Sequence, residues 1–335
     1  MAAVTDTPLE RVVDLRQLRS RDLDPLLDEE TEVWRDTLDW DFHASASLVR
    51  RFLDMQALTG YSLLVNERPV GYSYFVAEEK KGLIGDLYVM REFVSARNEE
   101  LLLGAVVEGA LKTPFIQRIE SQLLMLRTGA RMALPERRYL RQHRRTFMEI
   151  DLASASRLTP GVTAPGFLVD EWNQRKQEDA ASLIADAYRG HIDSEINDQY
   201  RSPAGARRFL LNILQFPGCG SFFQPASFLA LDAASGKLCG MCLSSLVYSN
   251  VGHITQVCVS KGARGKGLGY ELIRRSLEAL ARHGCTKASL TVTASNQEAI
   301  TLYERMGFRM TRDFAAYVWE GFSARAPGEP AIGYR

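Results

Sequence analysis

The feature that most limits how this chain can fold is a match of its first half to its second at an offset of about 169 residues. Pro69-Val70-Gly71-Tyr72 lines up with Leu238-Cys239-Gly240-Met241, and Leu87-Tyr88-Val89 with Val257-Cys258-Val259. A helical run ending Glu108-Gly109-Ala110-Leu111 lines up with one ending Leu277-Glu278-Ala279-Leu280. The strand pattern from Thr146 to Leu152 takes the place of Phe314 to Glu320. A chain of 335 residues is long enough for two ordinary domains. The repeat therefore predicts two copies of one fold: a first domain over residues 8–152, a linker over 153–166 rich in Ser, Thr, Pro and Gly, a second domain over 167–320 and a flexible tail over 321–335.

Hydrophobic period and punctuation give the second copy a coarse map. A strand near Phe167 to Trp172 precedes helices around Glu178 to Tyr188 and Ala204 to Leu214. Strands follow at Phe228 to Asp232, Cys239 to Val247 and His253 to Val259, then a helix from Gly267 to His283 and a strand from Lys287 to Thr293. A short helix from Gln297 to Met306 leads to a last strand around Phe314 to Trp319. This is an α/β pattern, a mixed sheet with helices on both faces. The strand–helix–strand run through 253–293 is a parallel unit, and a ligand is expected where those strands meet the helix N-terminus.

Composition narrows the classes of partner. Lys plus Arg and Asp plus Glu both total 41, so no global positive excess draws the chain to nucleic acid or anionic lipid. A local cluster, Arg131, Arg137, Arg138, Arg141, Arg144 and Arg145, reads as a solvated face. The five cysteines read as reduced thiols of a cytoplasmic protein, and Cys239 and Cys242 lack the second pair or nearby histidines that a zinc site needs. The first thirty residues carry acidic groups and no apolar core segment, against a signal peptide, and the longest uncharged stretch, Leu238 to Ser260, is broken by Gly240 and Gly252, against a membrane span.

The strongest chemical signal is the run from Val259 through Arg264-Gly265-Lys266-Gly267-Leu268-Gly269 into an amphipathic helix. Glycines there let backbone N–H groups approach an anion, the helix start adds free donors and a positive dipole end, and Arg264 and Lys266 add charge; a diphosphate fits such a place. The loop is not the Gly-x-x-x-x-Gly-Lys-Ser/Thr pattern of a nucleotide-binding P-loop. It resembles the acetyl-CoA signature of the GNAT superfamily of N-acetyltransferases. A second block agrees: Asn296, Ala299, Tyr303, Gly307 and Phe308 match that superfamily's Asn-x-x-Ala-x-x-x-Tyr-x-x-x-Gly-Phe pattern downstream.

The resemblance implies two tandem GNAT-like acyl-CoA N-acyltransferase folds and, in the second, acetyl-CoA as co-substrate with no metal. By that resemblance Val257, Cys258 and Val259 would border the pantetheine arm, with the Val257 N–H as oxyanion donor. The amides of Arg264, Gly265, Lys266, Gly267, Leu268 and Gly269 would hold the diphosphate. Asn296 would cap its helix and touch the CoA arm, and Tyr303 would protonate the departing thiolate. His253, six residues before Val259, stands where histone acetyltransferases have a glutamate and serotonin N-acetyltransferase a histidine, and is the expected base. Gln256 is expected on the opposite strand face. Asp193, Glu195 and Asp198 are the other candidates for the base, and candidate contacts to a cationic acceptor.

In the first copy Ser95 replaces Arg264, and Asn98 and Glu100 fall opposite Gly267 and Gly269. Glutamates at a helix start repel a diphosphate, so this copy is read as degenerate, serving as a wall, a support or a homodimer contact. The function expected is acetyl transfer to a primary amine of a small molecule, peptide or protein by direct attack. Alternatives are a non-catalytic acetyl-CoA-binding regulator and, because tandem copies also resemble the mycothiol synthase family, acetylation of a cysteinyl amine.

Overall fold

The computed structural model describes residues 9–155, 157–161, 165–216 and 218–322. In chain order the elements are β1 (Glu10–Asp14), α1 (Ser20–Leu38), α2 (His43–Asp54), β2 (Gly60–Val65), β3 (Arg68–Glu78), β4 (Lys81–Val89), α3 (Ala96–Lys112) and β5 (Arg118–Gln122). Then come β6 (Leu140–Asp151), α4 (Leu152–Ala155), β7 (Phe167–Glu171), α5 (Gln177–Ala187), α6 (Asp193–Ile196), α7 (Pro203–Gln215), β8 (Ser221–Phe222) and β9 (Phe228–Asp232). The last are β10 (Leu238–Tyr248), β11 (Val251–Val259), α8 (Leu268–His283), β12 (Lys287–Thr293), α9 (Gln297–Met306) and β13 (Arg309–Glu320). The expected tail beyond Phe322 lies outside the described residues.

The chain divides into two compact units that do not follow the expected cut at 152 and 167. One holds residues 9–34, 42–143 and 314–322, the other 35–41 and 144–313. The first unit runs β1-β2-β3-β4-β5 and closes with the end of β13, where Ala316–Glu320 pair antiparallel with Gln122–Arg118. The second runs β7-β9-β10-β11-β12 and closes with β6, whose Arg145–Asp151 pair antiparallel with Thr293–Lys287. Each copy is therefore finished by the strand that the repeat assigned to the other. The reason is physical: alternation records that a segment is extended and half-buried, whereas its partner is fixed by packing. Tyr317 and Trp319 are buried in the first unit's core and Met148 and Ile150 in the second's.

The two units share their internal design, as the repeat predicted: each is a mixed α/β fold. Gly71 faces Leu102 of α3 and Gly240 faces Leu272 of α8; a Cβ would stand 2.8 Å and 3.1 Å from those methyl groups. In both copies the long helix thus lies close against a glycine on the same strand.

In the second unit α8 buries Leu268, Leu272, Ile273, Leu277 and Leu280, spaced for one helix face. It ends at Gly284, whose φ of 101° lets its N–H return to the last turn. That face packs with Met148, Ile150, Ile254, Leu290 and Val292. On the other side α5 and α7 pack Ala181, Ile184, Ala206 and Leu210 with Met241, Leu243 and Cys258.

Candidate functional site

A bulge opens the second sheet. β11 pairs with β10 as Gln256 with Leu243 and Ile254 with Ser244, which leaves Thr255 as an extra residue. The parallel ladder to β12 covers Val251–Ile254 against Lys287–Leu290 and ends there. The two strands part beyond that point, and the gap forms a cavity of about 920 Å³, a size that suits a cofactor. Val257, Cys258 and Val259 line one side and Thr291 and Val292 the other.

The glycine loop closes one end. Gly265 and Gly267 have φ of 72° and 78°, left-handed conformations that glycine adopts without strain. Gly267 is the N-cap of α8, and no side chain caps that helix. Its first-turn N–H groups and positive dipole end therefore meet the cavity, where Gly265, Gly267, Leu268 and Gly269 are all lining residues.

The two cations of the loop act otherwise than expected. Arg264 donates from Nη2 to the Ala187 carbonyl at 2.9 Å and from Nε to the Val259 carbonyl at 3.3 Å, so it ties the end of α5 to the end of β11. Lys266 places Nζ 5.3 Å from the centroid of the Phe167 ring and is not among the lining residues. The cradle is built from backbone more than from side-chain charge.

α9 forms the floor. The Asn296 carbonyl oxygen accepts from the Ala299 N–H at 3.3 Å, the expected cap, while its amide nitrogen lies 3.3 Å from Nε2 of His191. Tyr303 lines the cavity with 7 % of its surface exposed. Burial pushes its phenol up from the ordinary value, so it stays protonated through the physiological range.

His253 is not brought to the cavity. It is buried, with Nδ1 2.9 Å from the Ser289 hydroxyl and its ring 5.0 Å from Trp40 and 6.1 Å from Phe147. Desolvation lowers its pKa to about 4, and the expectation of a base at this position fails on placement. The expectation for Gln256 fails as well, because the bulge at Thr255 shifts the alternation. Ile254 packs with α8, but Gln256 turns to the α5–α7 side, donating to the Tyr188 hydroxyl at 2.8 Å and accepting from Tyr200 at 3.4 Å. Tyr188 also donates to the Val257 carbonyl at 3.3 Å.

Of the three acidic candidates only Asp193 lines the cavity. Its Oδ1 accepts from the Thr293 hydroxyl and from Arg145 at 3.4 Å. Glu195 is exposed, and neither it nor Asp198 is among the lining residues. Arg145, read from sequence as part of a solvated cluster, is a cavity residue only 11 % exposed that donates to Thr293 and Thr291 at 3.1 Å each. No pattern in the sequence marks it, because it arrives on the exchanged strand. His191, Tyr188 and Tyr200 were also missed; they sit on short segments around α6, where periodicity is silent.

A deep split between parallel strands, ending on an uncapped glycine-opened helix, defines a class of protein, and comparison identifies it. Residues 191–308 match the profile described as the Acetyltransferase (GNAT) family, and that part of the chain is a GNAT-family domain. A mycothiol acetyltransferase from Streptomyces avermitilis is 31% identical over 180 residues, covering 51% of this chain and 50% of that protein. An N-alpha-acetyltransferase MAK3 from Arabidopsis thaliana is 34% identical over 73 residues, 22% of this chain and 38% of that one. The chain spans at most about half the length of these curated relatives. The fold of the whole chain is similar to a GCN5-related N-acetyltransferase from Sphaerobacter thermophilus, with a TM-score of 0.63 at 18% identity over 95% of this chain and 97% of that one. It is also similar to a tandem GNAT protein from the clavulanic acid biosynthesis pathway, with a TM-score of 0.56 at 16% identity over 94% and 100% of the two chains. Among the described residues no helix is long and apolar enough to cross a membrane.

Proposed function

We propose that the protein is an acetyl-CoA-dependent N-acetyltransferase that moves the acetyl group to a primary amine of a small molecule, peptide or protein in a ternary complex. One observation carries this reading: a single cavity joins an uncapped, glycine-opened helix N-terminus to a split between parallel strands with a buried phenol beside it. The N–H groups from Gly265 to Gly269 would hold the diphosphate, and the free edges of β11 and β12 the pantetheine arm. Acetyl-CoA supplies a thioester carbon that an amine attacks directly. The Val257 N–H would stabilise the charge on its oxygen, and Tyr303 would give a proton to the leaving sulfur, whose parent thiol has a pKa of about 8.5. Arg264 braces the cavity edge, and Asp193 supplies a negative wall that suits a cationic amine.

A second reading concerns the acceptor. Several relatives are named mycothiol acetyltransferase, which favours a cysteinyl amine among the acceptors to be tested. The test is calorimetric titration of acetyl-CoA into the wild type and the Gly267→Asp, Gly269→Asp double variant, followed by thiol release with a panel of primary amines. One saturable site per chain, lost in the variant, is the expected outcome. No binding by folded wild type would sink the reading, and binding without turnover on any amine would leave a regulator.

A further inference from the structure

We propose that His191 is the group that takes the proton from the acceptor amine, an inference that rests on reading the cavity as an N-acetyltransferase site. His191 precedes α6, lines the cavity and has a side chain 25% exposed. Its ring is fixed from three directions. The Asp193 N–H lies 3.2 Å from Nδ1, the Asn296 amide 3.3 Å from Nε2, and Tyr188 meets the ring edge-on with centroids 5.3 Å apart.

The carboxylate beside it is anchored in turn. Asp193 Oδ2 lies 3.7 Å from Nδ1 of His191, while Oδ1 is taken by Thr293 and by Arg145. With Oδ1 engaged, Oδ2 is the oxygen left to face the imidazole. An imidazole oriented by a carboxylate that is itself held in place is the arrangement that general-base catalysis needs. Arg145 acts through Asp193 and is a positioning residue. The titratable and charged groups around the ring are Asp193 on its own segment, Tyr188 at the end of α5 and, through Asp193, Arg145 on β6.

The step balances as follows. The base form of His191 is the Nδ1–H tautomer, whose hydrogen faces Oδ2 of Asp193 and not the Asp193 N–H, so that Nε2 holds the lone pair. The amine nitrogen bonds to the acetyl carbon as the proton it loses passes to Nε2, in place of the Asn296 amide contact. The carbon–sulfur bond breaks with its electron pair on sulfur, and Tyr303 gives sulfur a proton. His191 then releases its proton to solvent and Tyr303 regains one, so an amine and a thioester become an amide and a thiol.

Thiol release from acetyl-CoA with glycinamide as acceptor, from about pH 5.5 to about pH 9, tests this in wild type, His191→Gln and His191→Ala, with acetyl-CoA binding measured for each. His191→Gln is expected to lose on the order of 10²- to 10⁴-fold in kcat/KM, to lack the acidic limb and to bind acetyl-CoA as the wild type does; added imidazole is expected to restore part of the rate to His191→Ala. An unchanged rate and limb in His191→Gln, or activity lost together with acetyl-CoA binding, would overturn the assignment. Wild type that fails to bind acetyl-CoA, or binds it and releases no thiol with glycinamide or any other amine of the panel, would overturn the N-acetyltransferase reading first and the proton acceptor with it.

Discussion

The long helices of the two copies start differently, and the difference decides what each copy can hold. α8 begins at Gly267 with no side-chain cap, and its first turn meets the cavity. α3 begins at Ser95, whose hydroxyl accepts from the Asn98 N–H at 3.1 Å. Ser95 therefore caps α3 where no side chain caps α8, and the packing of Leu102 and Leu272 on Gly71 and Gly240 sets Glu99, not Glu100, opposite Gly269. Buried Glu99 fills the remaining space, its carboxylate accepting from the N–H groups of Arg127 at 2.9 Å and Thr128 at 2.8 Å and from the Thr128 hydroxyl. Glu100 accepts from the Ala133 N–H at 2.6 Å. The bulge survives, since β4 skips Gly85 between Tyr74 and Phe75, and its parallel ladder with β5 also ends after Ile84. The first copy has kept the split and turned its mouth into a loop-binding site for its own chain.

The largest expected effect comes from giving the second copy the first copy's chemistry. In Gly269→Glu the new Cβ would meet only ordinary contacts, 3.7 Å to Leu302, and φ there is not left-handed. The fold should tolerate the change while the carboxylate repels a diphosphate. Acetyl-CoA affinity should fall by 10²-fold or more, about 3 kcal/mol, with the melting temperature nearly unchanged. Calorimetry beside a thermal melt checks both; retained affinity would show that the helix start is not the anion site.

The converse change should cost stability and create no site. Glu99→Ala strands the N–H groups of Arg127 and Thr128, a loss of about 3 kcal/mol in denaturant unfolding. A second acetyl-CoA site in that variant would refute the account of how the first copy lost its ligand.

Titration separates the copies by sign. In the first, Asp86 is buried and shares a hydrogen bond with buried Glu30, and burial raises its pKa from 3.8 to about 6. The folded chain then keeps a proton that the unfolded chain has lost, so this contribution is present below about pH 4 and disappears as pH rises through about 6. In the second, burial lowers His253 from 6.5 to about 4, so the unfolded chain binds a proton that the folded one refuses. That unit loses stability as pH falls from about 6.5 to 4. Asp86→Asn should lessen the fall on the alkaline side of a stability–pH curve, with buried Glu30 keeping its own part of it, and His253→Phe should flatten the acidic side by about 3 kcal/mol at most. His253→Phe should also leave turnover within about threefold, since the ring lies outside the cavity. A change in the same direction from both variants would contradict the opposed environments.

What the sequence disclosed follows from what local pattern can record. The strands of the second copy, the long amphipathic helices and the turn from Val259 into α8 were all readable, because burial period and glycine punctuation are local. The glycine-opened helix start was readable for the same reason, as were the places of Asn296 and Tyr303 at the cavity, fixed by spacing along one helix. Arg145 was not, because it reaches the cavity on a strand exchanged between copies. His253 and Gln256 were misplaced relative to each other by one extra residue at Thr255, which shifts the phase of the strand before it against the strand after it. His191 and Tyr188 lie where the chain turns every few residues, and no period marks which way such side chains point.

The smallest effect sharpens the comparison most narrowly. If the first copy fails for want of positive charge, removing charge from the second should hurt it. If it fails because its helix start is capped and filled, charge matters little. Lys266 separates these, for its ammonium lies over Phe167 and outside the cavity lining. Lys266→Met keeps an apolar stem on that ring and removes the charge. Acetyl-CoA affinity at moderate salt is expected to weaken by less than about threefold, the scale of a screened surface charge. A loss near that of Gly269→Glu would mean that the lysine swings onto the diphosphate when the site fills, and that side-chain charge, as well as backbone, distinguishes the working copy from the silent one.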